Sequence, residues 1–149
     1  MRIYLGADHR GFELKEILKS WLNEEGYEVE DVGNHVFDPE DDYVDPALKV
    51  AESIEGNGTT SRGILLCGSG HGMEVVANKF THVRAVLGFN EEVVQQGRED
   101  EDANILILPT DWLEEESAKE RVRVFLETEK SEEVRHVRRR SRIANLHLR

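Results

Sequence analysis

The residues that could do chemistry stand closest together at Cys67-Gly68-Ser69-Gly70-His71-Gly72, where a thiol, a hydroxyl and an imidazole alternate with glycines. Alternate glycines let the backbone turn sharply and bring its N–H groups close to a ligand. A helical pattern begins near Met73, and the positive end of a helix dipole favours negative charge. A thiol, a hydroxyl and a nest of amides would then face one point. The apolar run 64–66 just before it reads as a buried strand, and open α/β sheets bind ligands outside the carboxyl ends of their strands. The same composition also suits a plain tight turn, and a lone cysteine can be a small apolar filler. The spacing is neither Gly-x-Gly-x-x-Gly nor Gly-x-x-x-x-Gly-Lys-Ser, so it gives no support to a dinucleotide or nucleoside triphosphate.

The strands and helices around this loop follow from the hydrophobic pattern. Residues 3–6 read as a first strand ending in the turn Ala7-Asp8-His9-Arg10-Gly11. Phe12, Leu14, Ile17, Leu18, Trp21 and Leu22 then recur at helical spacing up to Gly26. Residues 27–32 alternate like a second strand, and an acidic loop covers about 34–42. Pro46, Ala47, Val50, Ala51 and Ile54 suggest a helix stopped by Gly56-Asn57-Gly58. After the third strand and its glycine loop come a helix through Asn78, a strand over 83–87, a helix over 91–99 and a strand over 104–108. Helices over 113–126 and about 131–145 complete the pattern. Strands alternating with helices predict an α/β fold, a Rossmann-like three-layer αβα sandwich with a five-stranded parallel sheet covered on both faces. The chain of 149 residues shows no repeat or linker and reads as a single domain.

Charge narrows the partners. A net charge of -12 argues against nucleic acid or an anionic membrane. One cysteine forbids an intramolecular disulfide and fits a reducing cytoplasm, and no apolar run approaches transmembrane length. The opening Met1-Arg2-Ile3-Tyr4-Leu5-Gly6 does not read as a signal peptide. Against the acidic background, Arg135, Arg138, Arg139, Arg140, Arg142 and Arg149 crowd the end of the chain. Arg135 and Arg139 are spaced to share one helical face, where two guanidinium forks suit a phosphate.

Gly6-Ala7-Asp8-His9 and Gly11-Phe12-Glu13-Leu14-Lys15 resemble the opening of the ribose-5-phosphate isomerase B family, which includes the galactose-6-phosphate isomerase subunits. The resemblance continues through Asp42-Tyr43, Cys67-Gly68-Ser69-Gly70-x-Gly72, Ala77-Asn78-Lys79, Arg84-Ala85 and Asp102-Ala103-Asn104, and ends at Arg135-His136-x-x-Arg139. It implies an aldose–ketose isomerase that converts ribose 5-phosphate and ribulose 5-phosphate, in the pentose phosphate context, without metal or organic cofactor. It further implies a homodimer or dimer of dimers with active sites shared across the interface, the last helix packing on the partner. Cys67 would be the base that moves a proton between C2 and C1. Ser69, with the amides around Gly68, Gly70 and Gly72, would hold the enediolate. Asp8 and His9 would contact the sugar hydroxyls or help open the ring, Tyr43 would close over the sugar, and Arg135 and Arg139 would hold the phosphate. His136 accompanies those arginines, and Asn78 would brace the glycine loop.

Three positions depart from the family's pattern. A His-Asn pair is replaced by Asp100 and Glu101, and an arginine after the fifth strand by Asp111. His71 and Asp100 then become the candidates for the ring-opening acid. The new carboxylates also leave open another sugar, a hexose 6-phosphate or an unusual one, and a non-catalytic sugar-phosphate-binding or hetero-oligomer subunit.

Overall fold

Five short apolar runs pair into one sheet: β1 (Arg2–Ala7), β2 (Glu28–Asp31), β3 (Arg62–Cys67), β4 (Ala85–Leu87) and β5 (Ile105–Pro109). All pairings are parallel and the order is β2-β1-β3-β5-β4. The computed structural model describes residues 1–54 and 60–146, so the expected stop at Gly56-Asn57-Gly58 and the terminal Arg149 lie outside the described residues. The helices are α1 (Phe12–Glu24), α2 (Val44–Ser53), α3 (His71–Ala77), α4 (Glu91–Glu101), α5 (Glu115–Glu127) and α6 (Val134–Ala144).

Strand side chains alternate between the two faces of the sheet. Ile64 and Leu66 of β3 join Leu18, Leu22, Val94, Val122 and Phe125 in a core beneath α1, α4 and α5. Leu65 and Cys67 point the other way, into a core with Val50, Ala51, Met73 and Ala77 of α2 and α3. This is the expected sandwich of helix, sheet and helix. α6 stands outside both layers and rests on α4, where Arg140 donates to the carbonyls of Glu99 and Asp100.

The central strand β3 lies between β1 and β5, and the order in which strands are added to the sheet reverses between β1 and β3. That switch point opens a crevice at the carboxyl ends of the two strands, where this type of sheet takes ligands. The β1–α1 turn closes tightly on the crevice. A Cβ built on Gly11 would lie 2.4 Å from the Leu66 carbonyl oxygen, so only glycine lets the turn approach β3 this closely. The Asp8 N–H continues the ladder by donating to that carbonyl at 3.2 Å.

A buried cation ties α1 to β2. The Lys15 side chain is fully buried, and its Nζ donates to Asp31 Oδ2 at 2.7 Å and to the Asn34 carbonyl at 2.6 Å. Lys19 adds a bond to the same carboxylate oxygen at 3.1 Å. Burial alone would push the Asp31 carboxyl up, but the hydrogen bonds from Lys15 and Lys19 outweigh it and hold the group below the usual carboxylate range.

Several boundaries differ from expectation. The β4 ladder begins at Ala85 rather than at residue 83, because the Asn104 side chain takes the Arg84 N–H at 2.7 Å. A short 3-10 turn (Thr110–Trp112) precedes α5, which starts at Glu115. Asn78 does not brace the glycine loop. Its amide pairs both ways with Ala85, accepting from the N–H at 2.9 Å and donating to the carbonyl at 3.0 Å. Glu74 accepts the Leu87 N–H at 3.1 Å beside it.

Candidate active site

Cys67 ends β3 as its last residue, with its side chain turned into the α2–α3 core and 4% exposed. The loop then reverses through Gly70, whose φ of 82° lies in the left-handed region that favours glycine. This sharp turn starts α3 at His71, two residues earlier than the apolar pattern suggested, and brings the Gly70 N–H to 3.2 Å from Cys67 Sγ. One amide of the expected nest therefore reaches the sulfur. Its effect on the thiol is smaller than expected: burial pushes the Cys67 thiol up, and the amides of Gly70 and Met73 only partly oppose it.

Asp8 follows β1 directly and is buried, its carboxylate accepting from the Arg10 and Gly11 N–H groups at 3.0 and 3.1 Å. Burial raises the Asp8 carboxyl against those hydrogen bonds, so it holds a proton more readily than a surface aspartate. The same negative charge works against ionisation of Cys67. Tyr43 caps α2 and lies against the loop from the other side, where a Cβ built on Gly72 would be 2.5 Å from its ring. The loop from Cys67 to Gly72 thus lies between the Asp8–Arg10 turn on one side and Tyr43 on the other. His71 opens α3 with an exposed side chain, and its ring bonds to no described residue.

His9 carries a partner that the sequence did not reveal. Asp41, buried at the end of the acidic loop, accepts from the His9 N–H at 3.0 Å and stands 2.7 Å from Nδ1, while Asn34 donates to its other oxygen at 2.9 Å. The hydrogen bond to Asp41 raises the imidazole above its ordinary value, with the charge of Asp8 adding to it. The imidazolium–carboxylate attraction is therefore present below the ordinary histidine value and fades as pH rises through the raised one. In Asp41→Asn the His9 titration, followed by NMR, is expected to fall toward the ordinary value near 6.5. A titration unchanged in the variant would show that Asp41 does not hold His9.

A second missed group is Arg10. Its guanidinium lies over the loop, pairs with Asp111 at 2.6 Å, and would sit 2.7 Å from a Cβ built on Gly68.

Asp100, Arg135 and Arg139 are not brought into the crevice. They line a separate cleft of about 510 Å³ between α4 and α6, together with Glu92, Glu99 and His136. His136 is buried there, with Nδ1 at 3.2 Å from Asp100 Oδ1 and Nε2 accepting from Arg135 Nε at 3.0 Å. Arg135 also pairs with Glu133 at 2.8 Å. His136 therefore links α6 to α4 rather than packing only on its own helix. Among the described residues no group of three or more His, Cys, Asp or Glu side chains could hold a metal ion, and no helix is long and apolar enough to cross a membrane.

Comparison with known proteins agrees with the geometry. The model of the family described as Ribose/Galactose Isomerase matches residues 3–143. A probable ribose-5-phosphate isomerase B from Mycoplasma genitalium is 38% identical over 106 residues, covering 71% of this chain and 70% of that one. A 4-deoxy-4-sulfo-D-erythrose isomerase from a Clostridium species is 39% identical over 110 residues, covering 72% of this chain and 67% of its own length. The crystal structure of ribose-5-phosphate isomerase B from Mycoplasma genitalium with bound ribulose-5-phosphate superposes with a TM-score of 0.90 at 34% identity, covering 96% of this chain and 93% of that one. A match that runs from β1 to α6, around a crevice already built from Asp8, Tyr43 and Cys67, leaves one conclusion: this chain belongs to the ribose/galactose isomerase family.

Proposed function

We propose that this chain is an aldose–ketose isomerase interconverting ribose 5-phosphate and ribulose 5-phosphate by proton transfer through an enediolate. The observation that carries this reading is the Cys67 thiol at the switch point, with an amide on its sulfur and a helix starting beside it. Cys67, as thiolate, takes the proton from C2 as negative charge moves onto the C1 oxygen. The O2 proton then passes to O1, and the thiol returns its proton to C1 as the C2 carbonyl forms. The Ser69 hydroxyl and the first-turn amides of α3 are the donors for the C1 oxygen, since a helix start leaves such N–H groups without intrahelical partners.

Asp8 serves as the proton donor for ring opening better than His71 or Asp100 does. It is buried and follows β1 beside the end of β3, whereas His71 is exposed and Asp100 lines the other cleft. His9 and Tyr43 bind the sugar from the two sides of the crevice.

Arg135 and Arg139 line a different cleft from Cys67 within one chain, so the complete site takes two copies: the α4–α6 cleft of one meets the crevice of the other. Exposed Val134, Val137, Ile143 and Leu146 on and after α6, with exposed Phe89 before α4 and Val93 on it, support a homodimer, alone or as half of a dimer of dimers. The free thiol at the reacting position suits the reducing cytoplasm.

A second reading keeps the same chemistry with another sugar. The carboxylates of Asp100, Glu101 and Asp111, and the relative named for a sulfo-sugar, favour it. Incubation of the purified chain with ribose 5-phosphate is expected to yield ribulose 5-phosphate. Turnover of 4-deoxy-4-sulfo-D-erythrose alone would favour the second reading. A thermal shift with either sugar and turnover of neither would make the chain a binding subunit.

A further inference from the structure

Arg10 follows β1 and Asp111 follows β5, and the two strands flank β3 on either side. Their ion pair therefore bridges over the end of the central strand, directly above the loop that carries Cys67. Each end is fixed to its surroundings. The Asp111 N–H donates to the Gly68 carbonyl at 3.1 Å, and Thr110 Oγ1 donates to the Arg10 carbonyl at 3.2 Å. The guanidinium rests against Gly68, where a Cβ would come within 2.7 Å of Cζ. A long side chain on an exposed turn is normally free to wander. Here both its direction and its plane are set.

The pair does not use up the cation. One N–H of Nη2 goes to Asp111 Oδ2 at 2.6 Å, whereas Nε and Nη1 bond to no described residue and the side chain is 54% exposed. The neighbouring His9 is held through Nδ1 by Asp41, which leaves Nε2 without a described partner. A guanidinium with a fixed plane and unused donors matches two oxygens of a tetrahedral oxyanion. The alternative, a lone Asp111 at the crevice mouth, would repel such a group; paired with Arg10, its charge is offset.

We propose that Arg10, oriented by Asp111 across the glycine loop, receives the terminal oxyanion group of the sugar and sets the preference for anionic over neutral sugars. This rests on the isomerase reading above and adds a specificity residue to it. A phosphate ester and a carbon-bound sulfonate offer the same tetrahedral oxygens, and the test separates them.

The test is calorimetric titration of the full chain with ribose 5-phosphate, 4-deoxy-4-sulfo-D-erythrose and D-ribose, for wild type, Arg10→Ala and Arg10→Lys. Arg10→Ala is expected to weaken at least one anionic sugar by about tenfold or more, the sugar affected identifying the source of the oxyanion. Arg10→Lys keeps the stem and charge but not the fork. It is expected to give a smaller loss at an unchanged melting temperature, so the proposal stays testable if Arg10→Ala folds poorly. Equal affinity of both variants for both anionic sugars would overturn it, as would a loss of the same factor for D-ribose. Wild-type binding that depends on Arg10 without turnover would instead remove the isomerase reading and leave Arg10 as the anion receiver.

Discussion

Cys67→Ala is expected to remove about a hundred- to ten-thousand-fold of kcat for ribose 5-phosphate isomerisation, the range that one positioned base supplies. The substitution takes away the group that accepts the C2 proton and leaves the Ser69 hydroxyl and the α3 amides in place. KM is therefore expected to move much less than kcat. Folding should survive, because the sulfur is a small part of a core that Met73, Ala77 and Leu65 also fill. The pH profile gives an independent check. Burial raises the thiol above its ordinary value, so the thiolate fraction of the free enzyme keeps growing with pH. kcat/KM should still be rising at about pH 8.5, the ordinary thiol value. A profile flat from neutral pH upwards, or a Cys67→Ala variant as fast as wild type, would show that another group is the base.

Asp31→Ala is expected to destabilise the fold by about 3 kcal/mol, read as a shift in the urea midpoint. The reason is the ammonium it abandons. Lys15 is fully buried, and without Asp31 it keeps the Asn34 carbonyl, a contact with Glu16 at 3.2 Å and the face of the Phe12 ring at 4.9 Å. Lys15→Met combined with Asp31→Leu should recover most of the loss, since two apolar side chains need no partner. The pH dependence has a definite sign. A carboxyl held below its usual range contributes stability above the unfolded value, near 3.9, and loses it as pH falls through its own lower value. Wild type should therefore show an acid limb of unfolding that the double variant lacks. A loss under about 1 kcal/mol in Asp31→Ala would mean that water reaches Lys15.

The strands β1, β3 and β5 were legible because each is a run of apolar residues covered on both faces, which few other environments tolerate. The glycine loop was legible for its composition, whereas the contact of the Tyr43 ring with Gly72 was not. What stayed hidden depends on distance in space. Asp41 sits among Asp38, Glu40 and Asp42, and nothing local distinguishes the one that turns inward to His9. Arg10 looked like an ordinary turn residue until the sheet order placed it opposite Asp111. The amides near Cys67 could be read from the glycines, whereas the desolvation that outweighs them is a property of the packed core.

The two-way pairing of Asn78 with Ala85, and the Glu74 contact to Leu87, bears on how the chain behaves in crowded solution. β4 is an edge strand, and the backbone groups it turns outward at Ala85 and Leu87 are already taken by side chains of α3. At the opposite edge, β2 presents Glu28 and Glu30 outward. Neither margin offers a foreign strand an apolar, unpaired template, which is the usual start of edge-to-edge aggregation. Extension of the sheet past β4 is thus blocked while α3 stays folded, and the charged side chains of β2 disfavour it at the other margin.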